Sequence, residues 1–232
     1  MDRNKPSSSP LSPSPPLAWD EIKTVLLDMD GTLLDLHFDN VFFLETVPKA
    51  YGKKNGLSFS EAKAAVKESY RTVEGTLLWY DLDYWSRVLG MDIPLLKQEV
   101  QHLIQVHPQV IPFLKSLRSC QLPTHLVTNA HSSSLKLKLS RTPIGDYFDS
   151  VISSAQVGEP KEADPFWPLL KERIGFEPAT TLLIDDSEPV LEAAARFGIG
   201  HLRHIAAPSS QEPPCYSRQF FSITRFSEIQ PK

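Results

Sequence analysis

The sequence predicts an α/β fold: a parallel sheet with helices on both faces, and an all-helical segment inserted after the first strand. Three observations carry this. Short buried strands alternate with amphipathic helical stretches through the second half of the chain, a rhythm that argues for a parallel sheet. Roughly 95 residues separate the first strand from the next buried one, far more than the ~30 of a βαβ unit. The intervening residues carry helical periodicity and capping signals throughout.

The elements follow in order. Residues 1–18 are a leader, because residues 5 to 16 are almost entirely Ser, Pro and Leu and such a stretch cannot bury a core. The folded part starts near Trp19, and the first strand is Thr24–Asp28. A helix over about Asp39 to Tyr51 is interrupted or bent by Pro48. Ser58-Phe59-Ser60-Glu61 is a capping box that opens a helix carrying Ala62, Ala65, Val66 and Tyr70. Leu77 to Leu89 is a further helix, stopped by Gly90. Asp92 caps a helix bearing Leu96, Val100 and Leu103, which ends at His107-Pro108. Residues 38–106 are therefore an all-helical insertion, and 19–37 with 107–232 form the α/β core.

Beyond the insertion, a helix around Pro112 to Ser119 leads into the strand Thr124–Thr128. Leu135 to Thr142 is helical, Asp149–Ser153 a strand, and Asp164-Pro165 opens a helix to about Arg173. The strand Thr181–Asp185 precedes a helix from Ser187 to Phe197, stopped by Gly198. Ile199–Ile205 is the last expected strand. Phe220, Phe221, Ile223 and Phe226 dock the Pro-interrupted tail on the core.

Composition narrows the function. The net charge is −4 with no long basic run, which argues against nucleic acid or an anionic membrane as partner. No apolar run spans a bilayer, and the N-terminal residues lack the apolar core of a secretory signal. Two cysteines, Cys120 and Cys215, do not make a disulfide framework, so a cytoplasmic location is the simplest expectation.

The chemistry concentrates at strand ends. Thr24-Val25-Leu26-Leu27-Asp28-Met29-Asp30-Gly31-Thr32 runs a buried strand into two carboxylates one residue apart. Residues two apart in a strand face the same side, and two such carboxylates are costly unless a cation compensates them. Ligands of open α/β sheets bind at this end of the strands. An Asp-Gly pair after an apolar run is also a hairpin signal, so three further segments decide. Thr128-Asn129 ends the second buried strand just before a helix, where backbone N–H groups favour an anion. Gly158-Glu159-Pro160-Lys161 presents a lysine before a helix. Asp185-Asp186-Ser187 ends a third buried strand.

Taken in this order, Asp-x-Asp-Gly-Thr, Thr-Asn, Pro-Lys and Asp-Asp resemble the four motifs of the haloacid dehalogenase-like hydrolase superfamily. Leu82-Asp83-Tyr84-Trp85-Ser86, Leu126-Val127-Thr128-Asn129-Ala130-His131, Pro160-Lys161-Glu162 and Ile184-Asp185-Asp186-Ser187-Glu188 are similar to its bacterial GMP/IMP nucleotidase branch. The resemblance covers about Trp19 to Ile205. It implies a Rossmann-like core, with residues 38–106 as a cap that closes over the site.

It also implies a Mg²⁺-dependent 5′-nucleotidase that hydrolyses a small phosphate monoester, GMP or IMP, through a phospho-aspartate. Asp28 is then the nucleophile and Asp30 the general acid and base. Thr128 and Asn129 hold the phosphoryl group, and Lys161 neutralises charge on the nucleophile and phosphoryl oxygens. Mg²⁺, a hard ion that prefers oxygen ligands, is held by the Asp28 side chain, the Asp30 backbone carbonyl and Asp186, with Asp185 in the outer shell. Many members carry another acid four residues after Asp186, where this chain has Val190. A small-metabolite or sugar-phosphate phosphatase, a phosphomutase, and an inactive nucleotide- or protein-binding member are the competing readings. Phe42, Phe43, Trp79, Tyr80, Tyr84 and Trp85 offer aromatic faces for a purine, although aromatics at helical spacing are mainly core. The oligomeric state is not encoded in any of these features.

Overall fold

The computed structural model describes residues 15–231. Its centre is a six-stranded, wholly parallel sheet of β1 (Thr24–Leu27), β2 (Thr124–Thr128), β3 (Ser150–Ser153), β4 (Thr181–Asp185), β5 (His201–Ile205) and β6 (Ser222–Ile223) in the order β3-β2-β1-β4-β5-β6. Alternation across the strands divides the core in two. Val25 and Leu27 face one side with Leu126, Leu182 and Ile184, while Leu26 faces the other with Val127 and Leu183. Burying each such aliphatic side chain is worth about 1.5–3 kcal/mol.

The helical segment comprises α1 (His37–Val41), a π-helical turn (Phe42–Thr46), α2 (Val47–Asn55), α3 (Phe59–Arg71), α4 (Leu77–Tyr80), α5 (Leu82–Leu89) and α6 (Ile93–Glu99). The remaining helices are α7 (Val110–Ser119), α8 (Ser132–Arg141), α9 (Ser154–Val157), α10 (Phe166–Ile174) and α11 (Glu188–Phe197). Helices α7 and α8 cover the first face of the sheet, and α10 and α11 the second. The helical segment gathers a core of its own around Phe42, Val47, Val66, Leu82, Trp85, Leu89 and Ile93. Its two connections to the sheet run side by side: the Asp35 N–H donates to Gln105 O at 2.9 Å and the His107 N–H to Leu33 O at 2.9 Å.

Several boundaries differ from the expectations for local reasons. The helix expected over Leu77–Leu89 is two helices, because Asp81 is extended and its carboxylate accepts from the N–H groups of Asp83 and Tyr84 as an N-cap. Pro48 does not end its helix. The helical run continues without a break from His37 to Asn55, and the turn just before Pro48, Phe42–Thr46, is π-helical, so the irregularity lies there. Helix α6 stops at Glu99 and a short 3₁₀ turn, Gln101–Leu103, follows. The Ser58–Glu61 capping box is present in both directions. Strand β6 is only two residues long, too short for an alternation pattern, yet Ile223 and Phe226 are buried as the tail expectation required.

The leader expected over residues 1–18 lies outside the described residues up to position 14. Within its last four, the Pro15 carbonyl accepts from Arg203 Nη2 at 3.0 Å and Leu17 packs on the core. Cys120 and Cys215 are exposed and unpaired. No helix of the described residues is long and apolar enough to cross a membrane.

Candidate active site

Strands β1, β2 and β4 end side by side at one rim of the sheet. Asp28 follows β1, and its N–H donates to the Ile184 carbonyl of β4 at 3.1 Å, so the strand pairing itself fixes where this carboxylate leaves the sheet. Gly31 makes the turn beyond it at φ 81°, a conformation that favours glycine. One cavity of about 440 Å³ is lined by Asp28, Asp30, Thr128, Asn129, Lys161, Asp185 and Asp186. Every site residue expected from sequence therefore borders the same space.

Lys161 organises the acids. Its Nζ lies 2.5 Å from Asp28 Oδ1, 2.7 Å from Asp185 Oδ2 and 3.1 Å from the Val127 carbonyl. All three ammonium hydrogens are thereby used in a group that is 2% exposed. Burial alone would lower its pKa, but Asp185 and Asp28 reverse this and hold the lysine well above its usual range. The second Asp185 oxygen accepts from the Ser187 N–H at 2.9 Å. Asp186, in contrast, has no cation within ion-pair distance among the described residues. Its carboxyl is pushed well above the ordinary range by burial and by the charges of Asp28 and Asp185.

Asp28, Asp185 and Asp186 each offer a carboxylate oxygen within 4.8 Å of the others. With all three ionised, the state a bound cation favours, three carboxylates and one lysine leave this cluster two negative charges in excess. An all-oxygen donor set with surplus negative charge suits a hard divalent cation, so the residues present fit such an ion.

Asp30 does not share that lysine. It has its own: Lys138 Nζ lies 2.6 Å from Asp30 Oδ1 and 2.7 Å from Asp39 Oδ2, and Lys97 Nζ lies 2.7 Å from the other Asp39 oxygen. Burial raises the carboxyls of both Asp28 and Asp30 to about 6, against the opposing pull of Lys161 on the first and Lys138 on the second. The two aspartates of the first motif thus hold separate cations within one cavity.

The phosphoryl-side residues are also pre-engaged. Thr128 Oγ1 accepts from the Ala130 N–H at 3.0 Å. Asn129 is held at both ends: its Oδ1 accepts from the Lys161 N–H at 3.0 Å and its Nδ2 donates to Glu162 Oε2 at 2.9 Å. Tyr80 of α4 donates to the other Glu162 oxygen at 2.9 Å, tying the helical segment to the residue next to Lys161. A second cluster, Asp81, Asp83 and His131, lies between the helical segment and the start of α8, with His131 Nε2 at 3.6 and 3.8 Å from the two carboxylates.

Four of the six singled-out aromatics, Phe43, Trp79, Tyr80 and Trp85, border the cavity, joined by Tyr70; Phe42 and Tyr84 do not. Lys97, Lys138, Asp39, Glu162 and Tyr70 were not among the candidates. A signal existed for Lys138, which falls four residues after Ser134 on the buried stripe of α8. For Glu162 the signal was its place in the Pro160-Lys161-Glu162 stretch; for Asp39, an ordinary surface acid by composition, there was none.

Comparison with known proteins agrees with this geometry. The sequence profile of the haloacid dehalogenase-like hydrolases matches residues 22–198. The chain is 42% identical over 194 residues to the GMP/IMP nucleotidase YrfG of Escherichia coli, covering 84% of this chain and 87% of that protein. It is 30% identical to a phosphoglycolate phosphatase of Nitrosospira multiformis, over 76% of this chain and 80% of that one. Among solved structures, a phosphatase of the same fold from Thermococcus onnurineus superposes with a TM-score of 0.74 at 26% identity, covering 89% of this chain and 95% of that chain.

Proposed function

Since the chain belongs to the haloacid dehalogenase-like hydrolases, we propose that it is a Mg²⁺-dependent 5′-nucleotidase that hydrolyses purine nucleoside monophosphates such as GMP and IMP. The observation that carries the chemistry is the division of cations. Asp28 is held by Lys161 beside Asp186, and Asp30 is held apart by Lys138 in the same cavity. One carboxylate is thereby arranged to attack and the other to carry a proton. The substrate class rests on the 42% identity to a GMP/IMP nucleotidase and on the aromatic wall of the cavity.

Asp28 attacks phosphorus and the bond from phosphorus to the 5′-oxygen breaks. The Asp30 carboxyl gives its proton to the departing oxygen. The resulting Asp30 carboxylate then takes a proton from water as that water attacks the phospho-aspartate, releasing phosphate and restoring Asp28. A carboxyl raised to about 6 suits both duties near neutral pH. Lys161 restrains the nucleophile, and Thr128 with the backbone N–H groups beyond β2 receives the phosphoryl oxygens, a preorganised electrostatic role. Asn129, clamped between Lys161 and Glu162, keeps that loop in register.

Mg²⁺ would be held by Asp28, Asp186 and the Asp30 carbonyl. When bound, it supplies charge compensation between the nucleophile and the phosphoryl oxygens. Asp186 suits direct ligation because it lacks a protein cation, whereas both oxygens of Asp185 are committed to Lys161 and the Ser187 N–H. The helical residues 38–106 act as the cap that encloses the base, in a cytoplasmic enzyme.

Phosphate release with Mg²⁺ from GMP, IMP, AMP, UMP and a set of sugar phosphates tests this, with Asp28→Asn as the blank. Rapid release from GMP and IMP that vanishes in the variant is the expected result. Release chiefly from sugar phosphates would discard the nucleotide assignment and keep the chemistry. Isomerised sugar phosphate without free phosphate would indicate a mutase, and silence on every ester a binding protein.

A further inference from the structure

The buried chain of charges behind Asp30 has no part in the scheme above. It runs from Lys97 of α6 to Asp39 of α1, to Lys138 of α8, and ends on Asp30, with successive ion pairs of 2.7, 2.7 and 2.6 Å. Lys138 is 1% exposed and Lys97 2%. The Lys97 ammonium also stands over three rings, 5.2 Å from the centroid of Phe38, 4.9 Å from Phe42 and 4.8 Å from Phe43. Lys138 lies 5.2 Å from the Phe38 ring.

Fold stability gives little reason for this arrangement. Two lysines and an aspartate taken out of water cost several kcal/mol each, and apolar side chains of similar volume are often as stable in such places. What the charges accomplish is directional. Asp30 sits in the turn after β1 with its carboxyl open to the cavity, and nothing on its own element restrains it. Lys138 approaches from a helix rooted in β2, and Asp39 reaches across from the helical segment to hold Lys138. Lys97 and the rings in turn fix Asp39. A proton donor is effective only when held within hydrogen-bond reach of the oxygen it protonates.

We propose that Lys138, braced by Asp39 and Lys97, is a positioning residue that holds the Asp30 carboxyl group against the leaving oxygen of the ester. Because Asp39 and Lys97 belong to the helical segment, proton donation is assembled only while that segment is docked on the sheet. The inference rests on the reading of Asp30 as proton donor.

The test separates binding from proton delivery by changing the leaving group. An alkyl ester, GMP or whichever alkyl monoester the protein hydrolyses fastest, departs as an alkoxide and needs the proton. p-Nitrophenyl phosphate departs as a stabilised phenolate and needs it far less. The readout is the ratio of kcat/KM between the two esters, measured with Mg²⁺ on the full chain.

Asp30→Asn and Lys138→Met are both expected to lower this ratio, by about 10²-fold for the first and in the same direction for the second. Asp39→Asn, which preserves size, is expected to give a smaller shift of the same sign. It decides the question if Lys138→Met does not fold by circular dichroism. A folded Lys138→Met that slows both esters equally, or neither, while Asp30→Asn shifts the ratio, would overturn the proposal and leave the network structural. An unchanged ratio in Asp30→Asn would instead remove the proton-donor reading itself, and the proposal with it.

Discussion

The carboxylate of Asp186 fills the space that a side chain on residue 31 would need. A Cβ on Gly31 would collide with Asp186 Oδ2 and come within 2.7 Å of its Cγ. The same glycine sits at φ 81°, where an alanine is strained by about 1–2 kcal/mol. The turn and the Asp186 carboxylate are therefore packed as one unit. Gly31→Ala is expected to fold with a lowered melting temperature and to lose most of its Mg²⁺-dependent activity, measured as thermal melts and kcat/KM over a Mg²⁺ titration.

Crowded acids make the metal-free protein sensitive to pH. Asp28 and Asp30 sit at about 6, and Asp186 well above the ordinary range, chiefly through burial. A carboxyl whose folded pKa exceeds its unfolded value of ~3.9 contributes stability that is fully present below ~3.9 and lost as pH rises through the folded pKa. Metal-free protein is thus expected to lose stability through Asp28 and Asp30 between about pH 4 and 6, and Asp186 adds to the loss from about pH 4 upward. At pH 7.5 Mg²⁺ should restore it, by about 2.7 kcal/mol at a hundredfold excess over its Kd. Asp186→Asn should melt higher than the parent without metal and respond little to Mg²⁺. Equal responses in variant and parent would rule out Asp186 as a ligand.

Lys161 is the one cation within ion-pair distance of Asp28 and Asp185 among the described residues. Removing one partner of a buried pair typically costs 3–5 kcal/mol, so Lys161→Met is expected to lose about that much in urea unfolding without metal. Added Mg²⁺ should stabilise the variant more than the parent, since it meets more uncompensated charge. Turnover should fall by about 10²–10³-fold.

Asp39 titrates in the opposite direction. Burial raises its carboxyl, but Lys138 and Lys97 more than reverse that and hold it down at about 2. A depressed folded pKa contributes stability above the unfolded value, lost as pH falls through the folded one. The difference of nearly two units corresponds to about 2.5 kcal/mol. The stability gap between parent and Asp39→Asn should be full at pH 6 and shrink between about pH 4 and 2, as read from denaturant midpoints at each pH.

Tyr80 joins the helical segment to the Lys161 loop through Glu162. Tyr80→Phe keeps the ring in the cavity wall and deletes the hydroxyl. A hydrogen bond to a charged group is worth about 1.5–3 kcal/mol, so kcat/KM is expected to fall about tenfold or more on nucleotides. Unchanged kinetics with unchanged stability would leave Glu162 without a coupling role.

Local patterns reached far into this molecule. The Ser58–Glu61 capping box, the αL stop at Gly90 and the strand Thr181–Asp185 are all where residue type and spacing put them. The misses have separate causes. At Asp81 a side-chain cap outcompeted helix continuation, and at Pro48 a π turn absorbed the irregularity. Strand β6 exists because β5 offers it an edge to pair with, at Ser222 and Ile223, and no period can register in two residues.

The sequence by itself determined that acids and an amide stand at the ends of buried strands and that a lysine stands in a turn before a helix, because strand periodicity and turn chemistry act over a few residues. Only the tertiary structure decided that Lys161 is shared with Asp185 and that Asp30 and Asp39 have a cation of their own in Lys138. Lys161 meets Asp28 across 133 residues, and Lys138 meets Asp39 across 99. Coulomb attraction and desolvation depend on distance and burial in space, and neither is written in the spacing of residues along a chain.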